Sequence, residues 1–389
     1  MRFDIPIDRS GTYSVQYDER LAKFSSEDLL PLWVADMDLP SAECITEALK
    51  KRVAHPVYGY TIYPERFFDA VKMWMRKRHG WSVERDSIVP IPGVVPALNL
   101  LVTALTREGE GVLIQPPVYH PFFRLGRSHG RKLLENPLVL REGRYEIDFD
   151  DFRRKAKEAK LFILCSPHNP VGRAWSRDEL QKMTQICLEE GLIIVSDEVH
   201  ADIVYAPNSH TPAAKISREV SAITVTLNAP SKTFNIAGLN TAYAIIENDS
   251  LRRRFELELK RYDLTMGNVF GIEALMAAYE GGEEWLEELL AYLEGNIDYV
   301  TSYLKESVPQ IEALRPEATF LMWLDCRRLG MSDRELESFF IKRARLGLNT
   351  GVSFGRGGSG FMRLNIACSR AKLKEAMERL KRAFYTDSK

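Results

Sequence analysis

The chain has 389 residues, of which 45% are hydrophobic and 28% charged, and its formal net charge is −1. This is the composition of an ordinary soluble globular protein whose length favours one large domain and a smaller one, and the near-zero charge gives no support for binding nucleic acid or anionic membranes. No apolar stretch suits a signal peptide or a membrane span, and the five scattered cysteines and seven histidines lack disulfide or metal-ligand spacing, so we expect a cytoplasmic protein without a metal site.

The N-terminal part predicts three helices. We expect the first to run from Ser41, as its N-cap, to about Val53. The second is amphipathic and lies between Pro64 and Gly80. A strand-like segment then leads to Gly93, after which a helix runs to Leu105. A glycine followed at once by a helix N-terminus is a weak indication of an anion site.

After residue 110 the chain alternates between apolar strands and helices. A helix is predicted from Arg177 to Glu190, with Gly191 as its stop. Alternation of this kind is typical of a mostly parallel sheet covered on both faces, which binds ligands at the carboxyl ends of its strands. The predicted strands are Gly111–Gln115, Leu161–Cys165, Leu192–Ser196, Ala222–Leu227 and Ala242–Ile246.

A long charged helix from Glu283 to Glu306 leads into a second, α+β unit. This unit is predicted to contain a strand at 319–324, a helix from Ser332, a strand at 361–366 and a last helix to Phe384. We therefore predict a large domain over residues 46–280 and a small domain made of residues 1–45 and 281–389.

Lys232 follows the buried-strand pattern of residues 224–227 and lies between Ser231 and Thr233. An amine at the end of a core strand can lose its proton through desolvation and attack a carbonyl carbon. The alternative is a lysine in a polar loop that happens to follow a strand, and taken alone this alternative is the more common case.

Other strand ends also carry polar residues. Asn169 follows one strand, Asp197 follows the next, and Tyr119 lies in the loop after an earlier one. Each could be a simple turn or helix cap. Their order and content together are far more specific than any one of them.

The order of these residues resembles the fold-type I pyridoxal-phosphate enzymes of the aspartate aminotransferase superfamily. The resemblance rests on Tyr119, NPVG at 169–172, Asp197, SKTF at 231–234 and Arg363, and it covers nearly the whole chain. The segments PLWVADMD, YGYT, SPHNPVGRAW, SDEVHADIVY and SKTFNIAGL are similar to those of MalY/PatB-type cystathionine β-lyases. The implied fold is a large α/β domain with a mostly parallel seven-stranded sheet and a smaller α+β domain.

The resemblance implies pyridoxal 5′-phosphate as cofactor and assigns four residues to its ring. Lys232 matches the Schiff-base lysine that also moves protons, and Asp197 matches the carboxylate that pairs with the pyridine nitrogen. Asn169 matches the donor to the phenolic oxygen, and Tyr119 matches the aromatic residue that stacks on the ring.

The remaining roles concern phosphate and substrate. Gly93, Val94 and Val95 match the phosphate-binding helix start, with Ser231 as a further ligand and Tyr60 reaching the phosphate of the neighbouring subunit. Arg363 matches the arginine that binds the α-carboxylate of an amino-acid substrate, beside Trp33 and Val34. The resemblance thus implies a homodimer with shared active sites.

Two positions depart from the aspartate aminotransferase pattern. His200 stands where those enzymes have a tyrosine that contacts the phenolic oxygen, and it either keeps that role or only packs there. Asn240 replaces a phosphate-binding arginine. No second arginine for a dicarboxylate side chain can be assigned.

Three functions remain open. The subfamily motifs favour a carbon–sulfur β-lyase that cleaves cystathionine or cysteine S-conjugates to a thiol, pyruvate and ammonia. An aminotransferase would use the same residues. A cofactor-binding regulatory module without turnover is disfavoured by an intact Lys232, Asp197 and Arg363.

Overall fold

The computed structural model describes residues 2–385, and a seven-stranded mixed sheet lies at its centre. Only Ala242–Ile245 runs antiparallel to its neighbours, which confirms the prediction of a mostly parallel sheet. The strands, in spatial order, are Ile88–Ile91, Ala242–Ile245, Thr224–Asn228, Ile193–Asp197, Ala159–Cys165, Gly111–Ile114 and Lys132–Glu135.

Helices cover both faces of this sheet because its strands are apolar on both sides. Ile163 packs in one hydrophobic cluster with Leu98, whereas its neighbours Phe162 and Leu164 pack in another with Leu180. The helices of this part of the chain are Glu43–Val53, Glu65–His79, Val94–Leu105, Pro121–Ser128, Phe149–Ala156, Arg177–Glu190, Arg218–Ala222, Pro230–Thr233, Asp249–Arg261 and Val269–Gly281.

Helix ends follow local chemistry where the sequence supplies it. The helix Arg177–Glu190 begins at a capping box between Ser176 and Glu179 and ends at Gly191, whose φ is 69°. The prediction that Ser41 caps the first helix is wrong. The hydroxyl of Ser41 donates instead to the backbone carbonyl of Asn235, and the helix begins two residues later.

The C-terminal part forms an antiparallel sheet of Glu312–Leu314, Leu321–Asp325, Phe361–Asn365 and Asn349–Thr350. The strand predicted from Thr319 starts later, because Thr319 has a φ of 68° and cannot continue a strand. The helices of this part are Glu283–Ser307, Asp333–Ser338, the π-helix Phe339–Arg343 and Arg370–Tyr385.

The N-terminal segment packs on this C-terminal part. It contains the short helices Val15–Asp18 and Arg20–Phe24, and its strand Leu30–Pro31 pairs in parallel with Leu346–Gly347. This pairing is what a small domain made of both chain ends requires, although the boundaries near residues 46 and 280 stay a prediction. No helix within residues 2–385 is long and apolar enough to cross a membrane.

Candidate active site

The carboxyl ends of the parallel strands meet at a cavity of about 220 Å³. Most of the residues singled out in the sequence line it, together with residues of the N-terminal segment and of the loop before Ala242–Ile245. The lining residues are Ala35, Gly93, Val94, Val95, Pro96, Tyr119, Cys165, Pro167, Asn169, Asp197, Val199, His200, Ala229, Ser231, Lys232, Ala237, Asn240, Thr241 and Ala242.

Lys232 lies in the single helical turn Pro230–Thr233, directly after the strand Thr224–Asn228. Its Nζ donates a hydrogen bond to the backbone carbonyl of Ala35 at 2.6 Å. Burial lowers the pKa of the amine and the charge of Arg363 acts in the same direction, while Asp36 and Asp197 oppose it. A lysine with a lowered pKa on a cavity wall can act as a nucleophile and as a base.

Asp197 is the last residue of the strand Ile193–Asp197 and is only 5% exposed. Its side chain accepts one weak hydrogen bond, from the backbone N–H of Val199 at 3.3 Å, and no lysine or arginine of residues 2–385 forms an ion pair with it. Burial raises the pKa of this carboxyl to about 7, and the charge of Glu198 adds to the effect. A cationic ligand nitrogen beside Asp197 would therefore be strongly favoured.

Arg363 connects the cavity to the N-terminal segment. Its Nη1 donates to Oδ1 of Asn169 at 3.1 Å and its Nη2 donates to the backbone carbonyl of Trp33 at 2.6 Å. The buried Nε atom has no partner among the described residues. Burial lowers the pKa of the guanidinium to about 10, so it stays charged at neutral pH. No carboxylate within residues 2–385 forms an ion pair with it, which leaves it free to bind an anion.

Side-chain amides fix the backbone of residues 33–38 over the cavity. Asn349 donates to the carbonyl of Trp33, and Asn365 donates to the carbonyls of residues 34 and 36, all at 2.6 Å. Asn235 donates to the carbonyl of Met37 and accepts from its N–H, both at 3.0 Å. Sequence reasoning missed Asn235, Asn349 and Asn365, because nothing local indicates which distant backbone an amide will bind.

His200 is buried and lines the cavity, with its ring edge-on to Phe320 at 5.7 Å between centroids. Burial lowers the pKa of the imidazole to about 3, so it is neutral. Its Nδ1 has no hydrogen-bond partner within the described part of the chain. A buried ring nitrogen at a cavity can therefore bind an oxygen of a ligand, as its position in the sequence suggested.

The far end of the cavity is formed by the start of the helix Val94–Leu105. The first N–H groups of a helix have no partner within it, and here they belong to Val94 and Val95. Ser231, Asn240 and Thr241 complete this end. Within residues 2–385 no arginine lines the cavity, so no other arginine stands in for the one that Asn240 replaces.

Four predicted residues do not line the cavity, and one of them is Arg363, which donates to the lining residue Asn169. Trp33 and Val34 directly precede the lining residue Ala35, and their carbonyls accept hydrogen bonds from Arg363 and Asn365. Tyr60 is 95% exposed in a loop without regular structure, and its proposed contact with a partner subunit stays a prediction.

The donor set suits pyridoxal phosphate in three respects. A buried, uncompensated Asp197 can face a protonated pyridine nitrogen, and Lys232 provides the amine that condenses with an aldehyde. The unpartnered N–H groups at a helix N-terminus suit a phosphate. No group of His, Cys, Asp and Glu side chains within residues 2–385 could hold a metal ion.

Comparison with known proteins identifies the family of this chain. Residues 27–380 match the family described as aminotransferase class I and II. The chain is 45% identical over 385 residues to cystathionine β-lyase PatB of Bacillus subtilis, covering 98% of this chain and 100% of that protein. It is 34% identical to protein MalY of Escherichia coli, over 96% of each chain.

Solved structures of two relatives superimpose closely. Cystalysin from Treponema denticola, which contains a pyridoxal 5′-phosphate cofactor, is 36% identical with a TM-score of 0.96 over 99% of this chain and 98% of its own. The pyridoxal-phosphate-bound C-S lyase from Staphylococcus hominis, complexed with L-cycloserine, is 32% identical with a TM-score of 0.93 over 98% of each chain. The predicted fold-type I architecture is confirmed.

Proposed function

Because this chain belongs to the class I and II aminotransferase family, we propose that it is a pyridoxal-phosphate-dependent carbon–sulfur β-lyase. Its substrates are cystathionine or related cysteine S-conjugates, and its products are a thiol, pyruvate and ammonia. The relatives named cystathionine β-lyase and C-S lyase, which match over the full length of the chain, support this choice.

The observation that carries the proposal is the position of Lys232 and Asp197 on the walls of one cavity, each with a shifted pKa. Pyridoxal phosphate, when bound, supplies an electron sink that stabilises negative charge on the substrate Cα. Asp197 would keep the pyridine nitrogen protonated, and Asn169 and His200 would donate to the phenolic oxygen. Tyr119 would lie against the ring, and its phenol, whose pKa is raised by burial and by Asp197, stays protonated.

Arg363 would bind the substrate α-carboxylate and so orient the Cα–H bond toward Lys232. The amine of Lys232 would remove the Cα proton and would donate it to the departing thiolate at Cβ. The hydrogen bond from Arg363 to Asn169 joins the carboxylate site to the cofactor site. The same residues would serve an aminotransferase, which differs in where the proton is returned.

We also propose that the active unit is a cytoplasmic homodimer with shared sites. The loop after the first long helix exposes four large apolar side chains, Val57, Tyr58, Tyr60 and Ile62, which is typical of a covered surface. Tyr60 would then reach the partner's phosphate site. The five cysteines are all free, which suits a reducing compartment.

The direct test is incubation of the purified protein, loaded with pyridoxal phosphate, with cystathionine. We expect pyruvate and homocysteine to be released together, and both to be lost in Lys232→Ala. Absence of pyruvate with cystathionine and with a panel of cysteine thioethers would contradict the proposal.

A further inference from the structure

The backbone that accepts the hydrogen bond of Lys232 also carries a carboxylate. Ala35, whose carbonyl lies 2.6 Å from Nζ of Lys232, is followed by Asp36, and both residues are half-buried. The backbone carbonyl of Asp36 accepts a hydrogen bond from Nδ2 of Asn365 at 2.6 Å, which fixes this stretch of backbone. The same short stretch therefore binds the Lys232 amine and brings a negative charge close to it.

The side chain of Asp36 is held by Arg9 of the N-terminal segment. Nη2 of Arg9 donates to one carboxylate oxygen of Asp36 at 2.6 Å, and Nη1 donates to the other at 3.3 Å. Nη1 also donates to the backbone carbonyl of Met37 at 3.1 Å. Within residues 2–385, Arg9 is the only cationic side chain that forms an ion pair with Asp36. The bidentate contact fixes where the carboxylate lies and leaves it ionised.

Asp38, two residues later, is held by two cations. It is only 5% exposed and forms ion pairs with both Arg9 and Lys372. Its oxygens also accept hydrogen bonds from Nε2 of Gln16 at 3.1 Å and from the hydroxyl of Tyr17 at 3.0 Å. Asp38 therefore anchors the segment, and its charge is compensated where it lies.

The charges around Lys232 act against one another. Burial lowers the pKa of the amine, and among the nearby charges Asp36 opposes this effect most strongly. Arg363 lowers the pKa further and Asp197 raises it, while His200 on the same cavity wall is neutral. An amine whose pKa falls far below the working pH is a weak base. The Asp36 carboxylate thus helps the buried amine to remain able to take a proton from Cα.

We infer that Asp36, oriented by Arg9, is a positioning residue that holds a negative charge beside the Lys232 amine and favours its protonated form. The inference rests on the proposed function only in that Lys232 is the reacting amine. The two members of the ion pair then have different roles, because Asp36 carries the charge that acts on Nζ and Arg9 fixes its position. In an ion pair that only stabilises the segment, the two side chains would be equivalent.

The test compares Asp36→Asn with Arg9→Gln, since both substitutions break the same ion pair and only the first removes the negative charge. In the cofactor-free full chain, the measured quantity is the pH midpoint at which the Lys232 amine becomes reactive toward acetic anhydride, read from its peptide by mass spectrometry. We expect Asp36→Asn to lower this midpoint by about half a pH unit, as for a partly exposed charge pair. Arg9→Gln should raise the midpoint or leave it unchanged. In the holoenzyme, the pH midpoint of the visible absorbance of the lysine-bound cofactor should respond in the same directions.

Asp28→Asn is the matched control, because Asp28 is an exposed carboxylate of the N-terminal segment that also pairs with an arginine, Arg345. It should leave both midpoints unchanged. The inference is overturned if Asp36→Asn does not shift the midpoint, or if Arg9→Gln lowers it equally. The expected shifts in a protein that releases no pyruvate from any thioether would support the inference and contradict the lyase, whereas pyruvate release with unshifted midpoints would do the reverse.

Discussion

The Nζ atom of Lys232 and the backbone carbonyl of Ala35 lie 2.6 Å apart, although 197 positions separate the two residues in the chain. Ala35 belongs to the segment 33–38, whose carbonyls are held by Asn235, Asn349 and Asn365. The amine is thus positioned by the far N-terminal part of the chain as well as by its own helical turn.

We predict that Lys232→Ala abolishes covalent attachment of pyridoxal phosphate. Borohydride reduction followed by peptide mapping should place the cofactor on residues 224–240 in the wild type and in Lys260→Ala, an exposed lysine chosen as control. Reducible label on the same segment of Lys232→Ala would show that another group holds the cofactor.

Asp197→Asn should change how the stability of the cofactor-free protein depends on pH. Burial raises the folded pKa of Asp197 to about 7, whereas an unfolded aspartate titrates near 4. The folded state therefore binds the extra proton between these values, and the wild type loses stability as the pH rises toward 7. The isosteric amide of Asp197→Asn does not titrate, so the variant lacks this pH dependence.

Between pH 5.5 and 8.5 the wild type should lose about 2 kcal/mol of unfolding free energy relative to Asp197→Asn. Urea unfolding at several pH values measures this difference, with the exposed Asp150→Asn as control. Parallel pH profiles for the wild type and Asp197→Asn would contradict the shifted pKa.

In the loaded enzyme, Asp197→Ala should retain some cofactor and lose most β-elimination.

A buried cluster around Asp202 supports the Lys232 turn. Its carboxylate accepts hydrogen bonds from Nε1 of Trp74 at 3.1 Å, Nε2 of His79 at 2.9 Å and Oγ1 of Thr233 at 2.7 Å. Asp202→Ala leaves these donors unsatisfied, and we expect it to lower the unfolding free energy by about 3–5 kcal/mol. Thr233→Val should cost about 1–2 kcal/mol.

Urea unfolding measures both losses, and Thr46→Val is the exposed control for the threonine. The Asp202 cluster would have no supporting role if Asp202→Ala unfolded at the same urea concentration as the wild type.

Subunit complementation tests the shared site. Tyr60→Ala and Lys232→Ala subunits, each inactive alone, are mixed under exchange conditions. In a shared site the mixed dimer carries both defects in one pocket and none in the other, so it should recover about half the activity of a wild-type dimer. Mixed dimers that form and stay inactive would exclude a trans role for Tyr60. The inactivity of Tyr60→Ala by itself is established first.

Elements with strong local signals could be predicted from the sequence. The helix Arg177–Glu190 was bounded correctly because Ser176, Glu179 and Gly191 fix its ends through neighbouring backbone groups. The helix Val269–Gly281 was not predicted, because it is buried on most of its faces and shows no clear amphipathic period.

The candidate site likewise has a part that could be predicted from the sequence and a part that could not. Lys232, Asp197 and Asn169 could be placed together because parallel strands deliver their carboxyl ends to one edge. The contacts of Lys232 with the Ala35 carbonyl and of Arg363 with the Trp33 carbonyl depend on how the N-terminal segment packs over that edge. No spacing in the sequence encodes this packing.

The fate of the amino group tests the central claim most directly. The loaded protein is given cystathionine together with an excess of an α-keto acid, and pyruvate, ammonia, homocysteine and the amino acid formed from the keto acid are measured over one time course. A β-lyase predicts equal amounts of pyruvate, ammonia and homocysteine, with little amino transfer. If the keto acid gains the amino group while homocysteine and ammonia stay absent, the protein is an aminotransferase and the account is contradicted.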